Sequence, residues 1–188
     1  MSNAPHRTAE LTPKGGLRRF GRDARGLAAV EFALIVPLML TLYFGTLETS
    51  DALTASRRVT NVAQTAADLV AQVTTVSSSD LTDIFAASTA ILTPFDTSAV
   101  KITISSVVAD SSNKTTVAWS STYKGTARTT NSAVTLPTGL TTANTSVIMA
   151  EVTYTYTSPI ATFITGPIVM TETAYLRPRR SVTVAKTS

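Results

Sequence analysis

The stretch from Leu27 to Leu47, LAAVEFALIVPLMLTLYFGTL, limits what this chain can become more than any other part of it. As a helix its 21 residues would extend roughly 31 Å at about 1.5 Å each, close to the ~30 Å hydrocarbon thickness of a bilayer. From Leu34 to Leu42 only Thr41 is polar, so the helix is apolar all round, whereas the surface helix of a soluble domain keeps a polar face. A cleavable signal peptide has a shorter apolar core of about 7–15 residues. Residues 27–47 are therefore read as a transmembrane helix. Pro37 lies within it and is expected to bend it, because the ring removes one backbone hydrogen bond.

The flanks give the span a direction. Lys14, Arg18, Arg19, Arg22 and Arg25 precede it, and Glu48 and Asp51 follow it. Positive charge stays in the cytoplasm, so the N-terminus is expected inside and the remainder outside. The formal charge of +4 and the pI near 9.6 come from the leader. Residues 1–26 hold six basic and two acidic side chains, leaving ten of each in residues 27–188. Nucleic-acid binding needs a basic stripe on a folded face, which the body of the chain lacks. There is no cysteine, and the one histidine, His6, is in the leader. Disulfides, thiolate metal sites and Ser-His-Asp or Cys-His catalytic sets are excluded. No metal, cofactor or catalytic residue is expected.

Glu31 is the anomaly in the span. A carboxylate at the centre of a bilayer costs about 2.5–3.5 kcal/mol, and less near an end. Reaching for the interface or binding a proton would each relieve it, and so would pairing with a positive group from another molecule.

The residues around it carry a resemblance. Arg25-Gly26-Leu27-Ala28-Ala29-Val30-Glu31-Phe32 resembles a type IV prepilin processing site, in which a prepilin peptidase cuts after the glycine on the cytoplasmic side. The resemblance implies a cut between Gly26 and Leu27, with Leu27 as the new N-terminus, methylated as in that family, and Glu31 fifth in the mature chain. Glu followed by an aromatic, here Phe32, is similar to the Flp or type IVb version, where tyrosine is usual. Gly26 through Leu38 is similar to the start of TadE/TadG-like proteins of the tight-adherence (Tad) pilus system. Glu151-Val152-Thr153-Tyr154-Thr155-Tyr156 and Ala174-Tyr175-Leu176-Arg177-Pro178-Arg179 are similar more weakly. A minor pilin, or pseudopilin, is implied, since major Flp pilins lack a folded domain of this size. The implied partners are other Flp/Tad pilins and pseudopilins, the prepilin peptidase and the inner-membrane assembly platform. The implied location is the inner membrane, crossed once, with the C-terminal domain periplasmic, or extracellular once in the pilus. Physical chemistry gives Glu31 a part in this: cutting would leave a charged α-amine on Leu27 in apolar surroundings. Parallel packing of staggered helices would bring that amine to a neighbour's Glu31, relieving two unpaired charges at once. A rival cut by signal peptidase I near Ser50-Asp51-Ala52 fits the small-residue rule but lies beyond a core long enough to stay in the membrane.

Past the span the helix is expected to continue to about Val73, with Val59, Val62, Ala63, Ala66, Leu69, Val70 and Val73 forming a stripe for a sheet. Ser79 reads as the N-cap of a second helix reaching about Leu92, with Asp80 and Asp83 in its first turn as capping groups rather than a calcium or catalytic pair. After residue 98 the period becomes two. Val100, Ile102 and Ile104 share a face, as do Val117, Trp119 and Tyr123. Ile148, Ala150, Val152, Tyr154 and Tyr156 form another strand, and a fourth runs near Ile168–Leu176. Asp110–Lys114 suits a hairpin, and 124–144 reads as a long loop, a binding surface or a mobile one. Trp119, Tyr154 and Tyr156 are expected in the core, and Arg177, Arg179 and Arg180 in a solvated tail.

The expected fold is thus α+β and pilin-like, a long N-terminal helix on a mainly antiparallel sheet of about four strands. Its expected divisions are a cleaved basic leader (1–26), the transmembrane and polymerisation helix (27–47), its extracytoplasmic continuation (48–76), an α/β domain (77–176) and a tail (177–188). The leading function is that of a minor pilin of a Tad pilus, joining or priming the fibre and supporting adhesion. The alternative is a single-pass, membrane-anchored extracytoplasmic binding module that retains its leader. A tethered enzyme would have only Asp, Glu, Ser, Thr, Tyr or Lys chemistry to use, and no such cluster is recognisable.

Overall fold

The computed structural model describes residues 24–187; the leader's basic residues up to Arg22 and His6 lie outside them. The chain divides into two compact units, one up to Gly45 and one from Thr46 onward. In the first, the described residues form only helix.

Helix α1 spans Ala24–Ala71, 48 residues, and stays helical through Pro37. The sequence predicts an end near Val73 and a helical segment to 76; instead Thr75–Val76 forms a short strand, β1. Within the second unit α1 buries Ala55, Val59, Val62, Ala63, Ala66, Ala67, Val70 and Ala71. These recur at steps of three and four, the spacing of one helix face. Five of the eight are alanine, so the buried stripe is made mostly of small side chains. Leu69 and Val73 are only half-buried, displaced from the stripe by Ala67 and Ala71.

Helix α2, Ser78–Ala90, is capped by Ser77 rather than Ser79. The Ser77 hydroxyl accepts from the Asp80 N–H at 3.1 Å, and the Asp80 carboxylate accepts from the Ser77 N–H at 2.8 Å. A reciprocal capping box needs the acid three residues after the cap, which selects Ser77. At the far end of α2 the Arg58 guanidinium donates to the carbonyls of Ile91, at 2.8 Å, and Thr93, and lies over the Phe95 ring. This tie fastens α2 to α1.

The sheet is antiparallel throughout, in the order β3-β2-β4-β5. Its strands are β2 (Val100–Ala109), β3 (Thr115–Tyr123), β4 (Ser146–Tyr156) and β5 (Ile168–Leu176). The face turned to α1 carries Val100, Ile102, Ile104, Trp119, Ile148, Ala150, Val152, Tyr154 and Tyr156, all buried in one cluster with the helix. The three aromatics are core residues, as their alternation implies.

Val117 does not share the face of Trp119 and Tyr123. Ser106 pairs with Trp119 but Val107 pairs with Val117, so Ala118 is an extra residue on β3. Such a bulge reverses the facing of everything beyond it. Val117 joins Val107, Val147 and Met149 on the outer face, where Val134 from the long loop covers them. The loop is bound down: Val117 donates to Ser132, Val134 donates to Thr115, and Arg128 makes a two-pronged ion pair with Glu151. Its middle is a lid over a second small core.

The tail is exposed along most of its length, Arg177, Arg179 and Arg180 included, but it is tied down at several points. The Arg179 N–H donates to the Ala71 carbonyl at 2.8 Å, its guanidinium pairs with Asp68, and Arg177 donates to the Leu140 carbonyl. Strand β6, Ala185–Lys186, then pairs in parallel with β1, and Val184 is buried with its carbonyl accepting from the Trp119 indole at 2.7 Å.

Candidate functional site

The residues singled out by sequence all lie in the first unit, on α1. Gly26 is the third residue of the helix, with Leu27, Glu31, Phe32 and Pro37 following along it. Leu27 and Glu31 are four apart and share a face. Leu27 is 63% exposed and Phe32 69%, and Val30, Leu34, Leu38, Leu42 and Tyr43 are similarly open. A surface of that kind is stable only against lipid or another apolar helix. The Thr41 hydroxyl donates to the Pro37 carbonyl at 2.8 Å, keeping its own polar group satisfied within the helix.

Gly26 is unusual within a helix. A Cβ built there meets nothing within 4 Å, and its backbone is not in the left-handed region. Neither packing nor backbone geometry among the described residues asks for it.

A second polar feature lies just past the apolar run and was not picked out from sequence. Glu48 is 1% exposed. Its carboxylate accepts three consecutive backbone N–H groups, from Thr162 at 2.6 Å, Phe163 at 2.9 Å and Ile164 at 2.8 Å. Burial pushes its pKa up, but the hydrogen bonds from Ile164, Thr162, Phe163 and the Ser158 hydroxyl outweigh this and hold it below the ordinary 4.5. Ala161, with φ of 50°, turns the chain so that the next three N–H groups converge. That left-handed backbone costs a non-glycine residue about 1–2 kcal/mol, which the charge-assisted bonds offset. Concave arrays of successive N–H groups are anion sites, and here the anion is the protein's own. The signal in the sequence was faint: a lone acid after the span, and an uncharged segment more than a hundred residues later.

Residues 26–68 match the family model described as TadE-like protein. That stretch is therefore similar to the TadE-like family. The match starts at Gly26 and ends three residues before α1 does, so it covers the helix and none of the sheet. Comparison with curated proteins and with solved structures finds no match to the chain. The matched helix is also long and apolar enough to cross a membrane.

Proposed function

We propose that this TadE-like chain is a minor pilin, or pseudopilin, of a Tad pilus. It inserts in the inner membrane with its leader in the cytoplasm and its sheet domain in the periplasm. A prepilin peptidase cuts between Gly26 and Leu27, and the trimmed helix joins or primes the fibre among other Flp/Tad pilins on the assembly platform. The observation that carries this is Gly26. The family match begins on it, an exposed apolar helix follows it, and among the described residues no packing or backbone demand accounts for a glycine there. Recognition by a peptidase accounts for it. Glu31, one turn past Leu27, is placed to receive the new α-amine of a staggered neighbour.

Mass spectrometry of the chain purified from its membranes tests the cut. The expected first residue is Leu27; a chain that keeps its leader would refute processing and support a permanently anchored binding module instead. Glu31→Gln is a separate test of assembly. It is expected to leave cutting intact and to remove the chain from sheared pilus fractions or from complexes with other pilins. Unchanged incorporation would refute the pairing.

A further inference from the structure

Segment 157–171, which joins β4 to β5 and enters β5, has no Asp, Glu, Lys or Arg. From Thr46 onward seven large apolar residues are exposed among the described residues, and four of them, Ile160, Phe163, Ile168 and Val169, fall in this one segment. An apolar cluster of that kind marks a surface that is covered in use. Its place in the fold says by what. Peptide groups 162–164 are hydrogen-bonded to Glu48, the residue directly after Leu47, where the apolar run ends. A carboxylate at that depth is costly when exposed to lipid, and here it is closed off by three N–H groups.

We propose that the loop Pro159–Ile164 is a membrane-contacting element, seating Ile160 and Phe163 among the lipids at the surface where α1 leaves the bilayer. Glu48 is its positioning residue: it clamps the loop backbone at that level and is itself screened from lipid by the loop. The loop acts as a stop, limiting how far past Leu47 the chain enters the bilayer. Lipid is favoured over a second protein because the loop lacks any charge that would give a protein partner specificity, and because it is fastened at the end of the apolar run. The inference rests on residues 27–47 lying in the bilayer.

The chain has no cysteine, so single nitroxide labels can be placed cleanly. Full chain is reconstituted in phosphatidylethanolamine–phosphatidylglycerol nanodiscs with labels at Phe163→Cys, at Leu40→Cys in the span and at Asn61→Cys on the exposed helix. Collision with oxygen, which concentrates in lipid, is compared with collision with a water-soluble nickel chelate. The Phe163 label is expected to favour oxygen over nickel, at an intermediate value between Leu40 and Asn61. Adding Glu48→Gln is expected to move it to the Asn61 value while the Asn61 label itself is unchanged. A Phe163 label as open to nickel as Asn61 overturns the proposal and leaves the span intact. One shielded from both reagents also overturns it, in favour of a protein contact such as a second TadE-like chain. A Leu40 label open to nickel overturns the span and this proposal together. If Glu48→Gln leaves the Phe163 value unmoved, Glu48 is not what holds the loop.

Discussion

The buried stripe of α1 is made largely of alanines, so its packing is tested by enlarging a side chain rather than by the usual core truncation. Ala66 is 0% exposed and sits within the cluster that includes Ile102, Ile104, Ile148 and Val152. Ala66→Leu adds three carbons at a fully buried position inside that cluster. The helix must lift or neighbouring side chains must leave their rotamers, at a cost of about 1–3 kcal/mol. Leucine is nearly as good a helix former as alanine, so propensity contributes little to the loss. Asn61→Leu is the control: the same helix, but an exposed position, with an expected change within about 0.5 kcal/mol. Unfolding in urea can be followed by Trp119, the one tryptophan, whose indole is buried and bonded to Val184. With a slope of about 2 kcal/mol per molar urea, the Ala66→Leu midpoint should fall by roughly 0.5–1.5 M. A midpoint equal to that of the parent and of Asn61→Leu would refute the close-packed helix–sheet contact.

Three further outcomes follow from particular contacts. Arg128→Ala breaks a two-pronged but partly exposed pair with Glu151, whose side chains are 38% and 29% accessible, so it should cost no more than about 1 kcal/mol in the same assay. Its sharper effect is local: amide exchange at Ser132–Val134 should quicken as the lid over Val117 loosens, and unchanged exchange would refute the lid. At Ala161, Gly should be neutral or stabilising within about 1 kcal/mol, and Val should destabilise and speed exchange at 162–164, since only glycine takes that backbone freely. The carboxylates of Glu48, Asp80 and Asp96 are all held below their ordinary values of 4.5, 3.8 and 3.8, chiefly by hydrogen bonds that the charged forms accept. The unfolded chain then binds more protons than the folded one. The stability they confer is complete above about pH 5 and is lost as pH falls through the lowered values, so the urea midpoint should drop in acid, and a rise would refute the assignments.

The elements were legible where one period ran unbroken. The apolar run and its striped continuation gave α1 to within a few residues, and alternation placed β5 at Ile168–Leu176 and the core face of β4 correctly. What failed has specific causes. The bulge at Ala118 carries no local mark, since neither glycine nor proline stands there, and one extra residue moved Val117 to the opposite face. Ser77 could have been found, because a box requires an acid three residues on, and Ser79 has none there. The tail is exposed as expected, but its attachments were not legible because their partners are remote: Arg179 meets Asp68 and Ala71, and Val184 meets Trp119. Charge and a late position in the chain describe a solvated end equally well. Glu48 was taken only as a flanking negative charge, and its three N–H partners lie at positions 162–164, beyond the reach of any local pattern.

Two requirements shape α1, and the residues divide between them. From Leu27 to Phe44 the helix presents large apolar side chains on every side, as lipid or neighbouring helices demand. From Ala55 to Ala71 it presents small ones along a single stripe, as a sheet at close range demands. An unbroken helix serving both needs a marker where one environment gives way to the other, and Glu48 has the properties of one. It is too costly to draw into lipid, and it is fully satisfied only when loop 162–164 closes on it. Gly26 stands at the other end of the apolar half, as little used by the fold as Glu48 is fully used. If the proposed cut occurs there, the segment released into a fibre runs from a new charged amine to a carboxylate whose hydrogen bonds the chain already supplies. Glu31 is then the acid left in that segment to answer the amine.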